Sequence, residues 1–221
     1  MINIVNLREK YIFEGDFDLY LTGKGKKFKT SDGIKDNLLE EGEFVNGLLN
    51  GEGVIYDDDN LDFSINNDNI FGVKNEKKYK EGFFKDGKLN GKGKIYNLSY
   101  VLIEGNFIEG QYDGIVTTYF EESENIYMIA EYNLGILNGR AKYFDLDQNL
   151  IKEVTFINDK KNGKCIEYTS DYINIYNYED DIKQGLKEVY YNNGILREKS
   201  YLKDNLLDGT LLIFNQEKQI I

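Results

Sequence analysis

Two pairs of neighbouring carboxylates, Glu41/Glu43 and Glu121/Glu122, come closest to a catalytic constellation in this chain. Such a pair can divide acid and base work in the hydrolysis of a glycosidic bond, provided that one member stays protonated at neutral pH. Nothing in the surrounding sequence points to a raised pKa, and adjacent carboxylates on a strand are ordinarily solvated. Asp58, Asn60 and Asp62 match the spacing of the first three ligands of a calcium loop. Phe63, however, stands where that loop needs glycine, and Asn69 where it needs a bidentate glutamate. The chain has no histidine, which removes imidazole bases, Cys–His dyads, Ser–His–Asp triads and histidine metal sites. These residues predict no catalytic group, no cofactor and no metal: a protein that is not an enzyme.

A different set of residues recurs at fixed spacing. Gly23, Gly51, Gly91, Gly114, Gly139, Gly163, Gly185 and Gly209 are each followed five residues later by a ring, at Phe28, Tyr56, Tyr96, Tyr119, Phe144, Tyr168, Tyr190 and Phe214. Six of these glycines also have a ring seven residues earlier, at Phe44, Phe84, Phe107, Tyr132, Phe156 and Tyr178. Phe17 and Tyr201, in the first and last units, stand one residue out of step, as capping repeats would. A period of about two dozen residues belongs to a repeat array. The repeats fall near 11–29, 38–56, 78–96, 100–119, 127–144, 150–168, 173–191 and 195–214, with an acidic insertion at 57–77 that reads as a surface loop.

Each unit reads as strand, turn, strand. Asn46-Gly47 is a strong hairpin signal because both residues tolerate positive φ, and the same chemistry recurs at Asp86-Gly87, Glu109-Gly110, Leu134-Gly135, Asp159-Lys160 and Asp204-Asn205. The absence of proline fits a sheet that needs its backbone N–H groups for ladder bonds. The expected fold is all-β: a single elongated antiparallel meander of about eight hairpin repeats over residues 1–221. Terminal strands fall near Val5 and Leu212, and the residues from Gln216 to Ile221 either cap the sheet or fray.

The pairs Gly23/Gly25, Gly51/Gly53 and Gly91/Gly93 leave room for a neighbouring ring. In later units the second position becomes Val116, Ala141, Cys165 and Leu211, with Lys187 as the exception, so it faces packed side chains and Cys165 reads as a small core residue. Strand alternation puts Ile55, Ile95, Tyr143, Val189 and Ile213 on that face. The rings five residues after the glycine share the other face with Lys24, Glu52, Lys92, Arg140 and Lys164. Tyr56, Tyr96, Tyr119, Phe144, Tyr168 and Tyr190 therefore form a candidate partner-binding groove, unless a bulge or twist returns them to the core.

With 27 Lys and Arg against 39 Asp and Glu, the formal charge is −12, which opposes binding to nucleic acid and direct binding to membranes. A basic protein partner is favoured instead. The unpaired cysteine, and a start at Met1–Lys10 without an apolar core, point to the cytoplasm.

Residues 40–53 and 79–93 resemble the MORN repeat, whose pattern is Tyr-x-Gly-Glu-aromatic, then Asn/Asp-Gly-Lys, then Gly-x-Gly. From about Tyr127 the units look more like the bacterial YwqK-type variant, as in Gly194 to Tyr201 and Lys203 to Gly209. The resemblance implies a curved meander acting as a scaffold or partner-binding module. The later units' likeness to an antitoxin-associated variant implies an alternative: an antitoxin or immunity protein that neutralises a basic toxin.

Overall fold

The computed structural model describes residues 2–6, 11–31, 34–58, 62–66, 69–73, 77–97 and 100–221, with side chains described for 11–30, 37–58, 77–97 and 100–221. Two compact units emerge, residues 1–111 with 121–124 and residues 112–120 with 125–221. The first contains β1 (Ile2–Asn6), β2 (Tyr11–Phe17), β3 (Gly23–Ser31), β4 (Ile34–Val45), β5 (Leu48–Tyr56), β6 (Asp62–Asn66), β7 (Asn69–Val73), β8 (Lys78–Lys85), β9 (Lys88–Asn97) and β10 (Tyr100–Ile108). The second contains β11 (Gln111–Tyr119), β12 (Ile126–Asn133), β13 (Ile136–Phe144), β14 (Leu150–Ile157), β15 (Lys160–Tyr168), β16 (Tyr172–Glu179), β17 (Ile182–Tyr191), β18 (Leu196–Lys203), β19 (Leu206–Leu207) and β20 (Leu212–Ile213). Within each unit successive strands pair antiparallel as a meander, the fold expected of hairpin repeats.

The insertion departs from the expected loop: β6 and β7 pair with each other, and β5 pairs directly with β8 across it. The calcium-like spacing runs into residues 59–61, outside the described residues. Asp58 itself ion-pairs with Lys29 at 2.6 Å.

Tight turns with two positive-φ residues close the hairpins at Asn46-Gly47, Asp86-Gly87, Leu134-Gly135 and Asp204-Asn205. The turn expected at Asp159-Lys160 is instead Asn158-Asp159, one residue earlier, and Asp180-Asp181 is a further one. The reason lies in the neighbouring hairpin. Asp159 donates its N–H to the Leu137 carbonyl and accepts the Leu137 N–H on its carboxylate at 2.8 Å; Asp181 does the same with Lys161. Gly47, Gly87 and Gly110 make the backbone half of this bond to Leu21, Leu49 and Leu89. Each turn is thereby fastened to the hairpin before it.

The register sets a glycine of one repeat opposite a ring of the next. The pairs are Gly23 with Phe44, Gly51 with Phe84, Gly91 with Phe107, Gly114 with Tyr132, Gly139 with Phe156 and Gly163 with Tyr178. At Gly185 the partner is Leu202, while the out-of-step Tyr201 faces solvent. Phe44, Phe84 and Phe107 are at most 2% exposed. Burying one such ring stabilises by roughly 1.5–3 kcal/mol relative to leaving it in water.

Beside the rings, Gly15, Gly25, Gly42, Gly53, Gly82, Gly93 and Gly105 stand directly opposite one another across seven strands. A Cβ on Gly82 would lie 2.6 Å from the Gly93 Cα, and one on Gly25 would run into the Phe17 ring. At Gly53 and Gly93 the neighbour is not the expected ring but a leucine methyl, of Leu49 and Leu89. In the second unit this row becomes Val116, Ala130, Ala141, Val154 and Cys165, all at most 3% exposed. Burial pushes the Cys165 thiol pKa up, as for an inert core thiol. Lys187 keeps its place in this series by an ion pair with Glu198 at 2.7 Å. Leu211 differs from the expectation and is 42% exposed.

Gly82→Val should cost roughly 3 kcal/mol through backbone overlap and its positive φ. Gly163→Ala, where a Cβ meets nothing within 4 Å, should cost only about 1 kcal/mol for its φ. Urea unfolding of both variants checks the difference; equal losses would contradict the close-packed glycine row.

Candidate functional site

Strand alternation gives each unit a second face, opposite the buried rings. In the first unit Glu14, Lys26, Glu41, Val54, Glu81, Lys94 and Glu104 face one another in one cross-strand row. Its charges largely alternate and pair: Lys26 with Glu41 at 3.3 Å, and Lys94 with Glu104 at 3.5 Å. In the second unit the corresponding row carries Ile129, Lys142, Glu153, Ile166, Ile175, Glu188 and Lys199.

The six candidate rings are half-buried, and the tyrosines among them with resolved hydroxyl partners are tied to this charged row. Tyr56 donates its hydroxyl to Glu41 at 3.3 Å, Tyr96 to Glu81 at 2.8 Å, Tyr168 to Glu153 at 2.9 Å and Tyr190 to Glu188 at 3.0 Å. They therefore lie on the polar face, not with Phe44 and Phe84. Bulges do occur in the ring row, between Ile55 and Tyr56, Thr118 and Tyr119, Tyr143 and Phe144, and Val189 and Tyr190, but those beside Tyr56 and Tyr190 leave both rings bonded to carboxylates of the polar face. Tyr119 and Phe144 are half-buried at the ends of β11 and β13. One intervening strand separates successive rings within a unit, so the row is a series of separate ring-and-carboxylate pairs.

Of those carboxylates only Glu41 stands out in the sequence, as a possible catalytic pair with Glu43, although a signal for the tyrosine partners exists. Glu41, Glu81 and Glu153 each stand ten residues before a key glycine, and hence fifteen before the tyrosine they bind. The Tyr190 unit has Ile175 at that place and uses Glu188 instead.

Glu81 is held below its ordinary carboxylate pKa by hydrogen bonds from Lys78, at 2.8 Å, and from Tyr96. Tyr96 is correspondingly pushed above the usual phenol range by burial and by its bond to Glu81. A general acid needs the opposite shift. Of the carboxylate pairs, Glu41 is engaged by Lys26 and Tyr56, while Glu121 and Glu122 are exposed in the turn after β11.

A groove of about 750 Å³ crosses the polar face of the first unit. Its floor is the backbone of Gly42, Gly53 and Gly82; its sides are Lys24, Glu41, Glu52, Glu81, Lys92 and the half-exposed Phe83. The same repeat positions line a smaller groove of about 310 Å³ in the second unit, with Arg140, Glu153 and Lys164. There Ala141 and Val154 stand at the repeat positions that carry glycine in the first unit.

A family model described as MORN repeat matches residues 41–61 and 81–96, so these two segments are similar to MORN repeats. Both matched segments contribute to the larger groove. No curated protein matches the chain.

Because the folded pKa of Glu81 lies below its ordinary value of 4.5, its contribution to stability is present above that value and lost as pH falls through the lowered one. Glu81→Gln should flatten the acid limb of the stability profile, and Tyr96→Phe should cost about 1 kcal/mol at neutral pH. Urea midpoints measured across that acid range check both. An unchanged acid limb in the glutamine variant would show that the bond does not act.

Proposed function

We propose that this chain is a non-enzymatic protein-interaction module that receives its partner on the polar face of the sheet. The observation that carries this reading is the first unit's groove, where aromatic, cationic and carboxylate side chains converge on a bare glycine floor. Backbone can approach such a floor closely, and side chains already held by ion pairs and by tyrosine hydroxyls lose little freedom on binding. MORN repeats generally serve as protein- or membrane-binding modules, and the net charge of −12 favours protein over an anionic lipid surface. That same charge supports a second, narrower reading as an antitoxin or immunity protein masking one basic partner in the cytoplasm.

Affinity purification from the native cell at low and at high salt tests both. Phe83→Asp combined with Lys92→Glu alters only exposed groove residues, so the melting temperature should hold while captured partners fall by about tenfold or more. Partners captured equally by the variant would overturn the polar-face reading. A single small basic protein released by salt would support the antitoxin reading, and several partners retained in salt the scaffold.

A further inference from the structure

We infer that the smaller groove, on the second unit's polar face, is a docking site for a phosphorylated side chain of a partner protein, held between Arg140 and Lys164 over Thr155. The site is separate from the first unit's groove and does not rest on it. Arg140 and Lys164 both line the groove and are exposed, and among the described residues neither has an ion-pair or hydrogen-bond partner. Other cations in these strands are neutralised: Lys142 pairs with Glu153, Lys152 with Glu167, Lys187 with Glu198 and Lys199 with Glu188.

The reason lies in the register. The residue after each key glycine stands on the polar face and lies opposite the residue eight before the next key glycine. Lys24 thereby faces Glu43 in the first unit, a charge facing its opposite. In the second unit Arg140 faces Thr155 and Lys164 faces Asn177, so each cation meets a neutral residue that can donate hydrogen bonds. Strand β14 runs between β13 and β15, which sets the two cations two strand spacings apart, about 10 Å, with Thr155 between them. Two carboxylates lie nearby. Glu153 also lines the groove but is engaged by Lys142 at 3.9 Å and by the Tyr168 hydroxyl at 2.9 Å. Glu131 lies against Gly139 and forms no ion pair with Arg140.

Two uncompensated cations around one hydroxyl call for a ligand with two negative charges and several acceptor oxygens. A phosphoryl monoester carries about −1.5 to −2 charge at neutral pH and presents three such oxygens. The Arg140 guanidinium can grip two of them, the Lys164 ammonium neutralises the third, and the Thr155 hydroxyl donates from below. A carboxylate would be satisfied by Arg140 alone and would leave Lys164 unmatched. The net charge of −12 opposes lipid surfaces and polyanions, which favours a phosphoryl group presented singly on a protein.

The probe is a short glycine-serine peptide with one central phosphothreonine, titrated into the full chain at physiological salt and followed by nitrogen-15 NMR. Saturable shifts of the Arg140 side-chain Nε–H and of the Thr155 and Lys164 amides are expected. Affinity should fall by about tenfold or more in the chain with Arg140→Gln and Lys164→Gln together, whose melting temperature should hold because both residues are exposed. It should fall by about fivefold or more when glutamate replaces phosphothreonine in the peptide. Phe83→Ala, in the first unit's groove, should leave it unchanged, so each groove is tested without the other. No saturable shift at millimolar peptide, equal binding by the glutamine variant or by the glutamate peptide, or a loss in Phe83→Ala would overturn the proposal. Inorganic phosphate bound as tightly as the peptide would make this a free-anion site, and vesicles containing phosphatidic acid bound in place of the peptide would make it a membrane site; either result would overturn the assignment to a protein partner.

Discussion

The structure depends on one contact, a glycine in one repeat lying opposite an aromatic ring in the next. The ring covers backbone that glycine leaves bare, and the positive φ of Gly51, Gly91, Gly114, Gly139 and Gly163 is one that a larger residue adopts only with strain. The contact therefore fixes register, and because side chains alternate, a slip of one residue would exchange the two faces completely. Once Gly51 meets Phe84, Gly53 must meet Gly82 on one face and Val54 must meet Glu81 on the other. The buried ring row, the close-packed glycine row and the charged row follow from the same register.

The two units satisfy that constraint with different chemistry. In the first, phenylalanines pack edge to face, as Phe13, Phe17 and Phe44 do at 5.6–5.8 Å, over bare glycine. In the second, small apolar residues fill the glycine row, and the hairpin leucines give way to lysines, so that Lys161 and Lys183 lie over Tyr178 and Tyr176. The larger groove lies at the glycine-rich repeats.

Much of this was legible in the sequence, because the key glycines, their rings and the Asn-Gly turns are local signals that obey fixed offsets. Where the reading missed, a non-local partner decided the outcome. Asp159 sits inside its turn because its carboxylate reaches Leu137 in the previous hairpin. Ser200, not Tyr201, is the buried residue of the last repeat, where Glu198 lies within reach of its hydroxyl at 3.5 Å. The acidic insertion hid a two-stranded ladder because its Asp and Asn content masked the short apolar alternations Phe63/Ile65 and Phe71/Val73. The pairing of Tyr96 with Glu81 spans fifteen residues, too far for any strand or turn rule to join them, and it emerges only once the hairpin register is known.

Nuclear Overhauser contacts among the glycine α-protons test the register most directly, since a Cβ on Gly82 would stand within 2.6 Å of the Gly93 Cα. The account predicts strong α-proton contacts between Gly82 and Gly93 and between Gly42 and Gly53. Contacts of Gly82 to Gly91 in their place would mean a strand slipped by two residues and would contradict it.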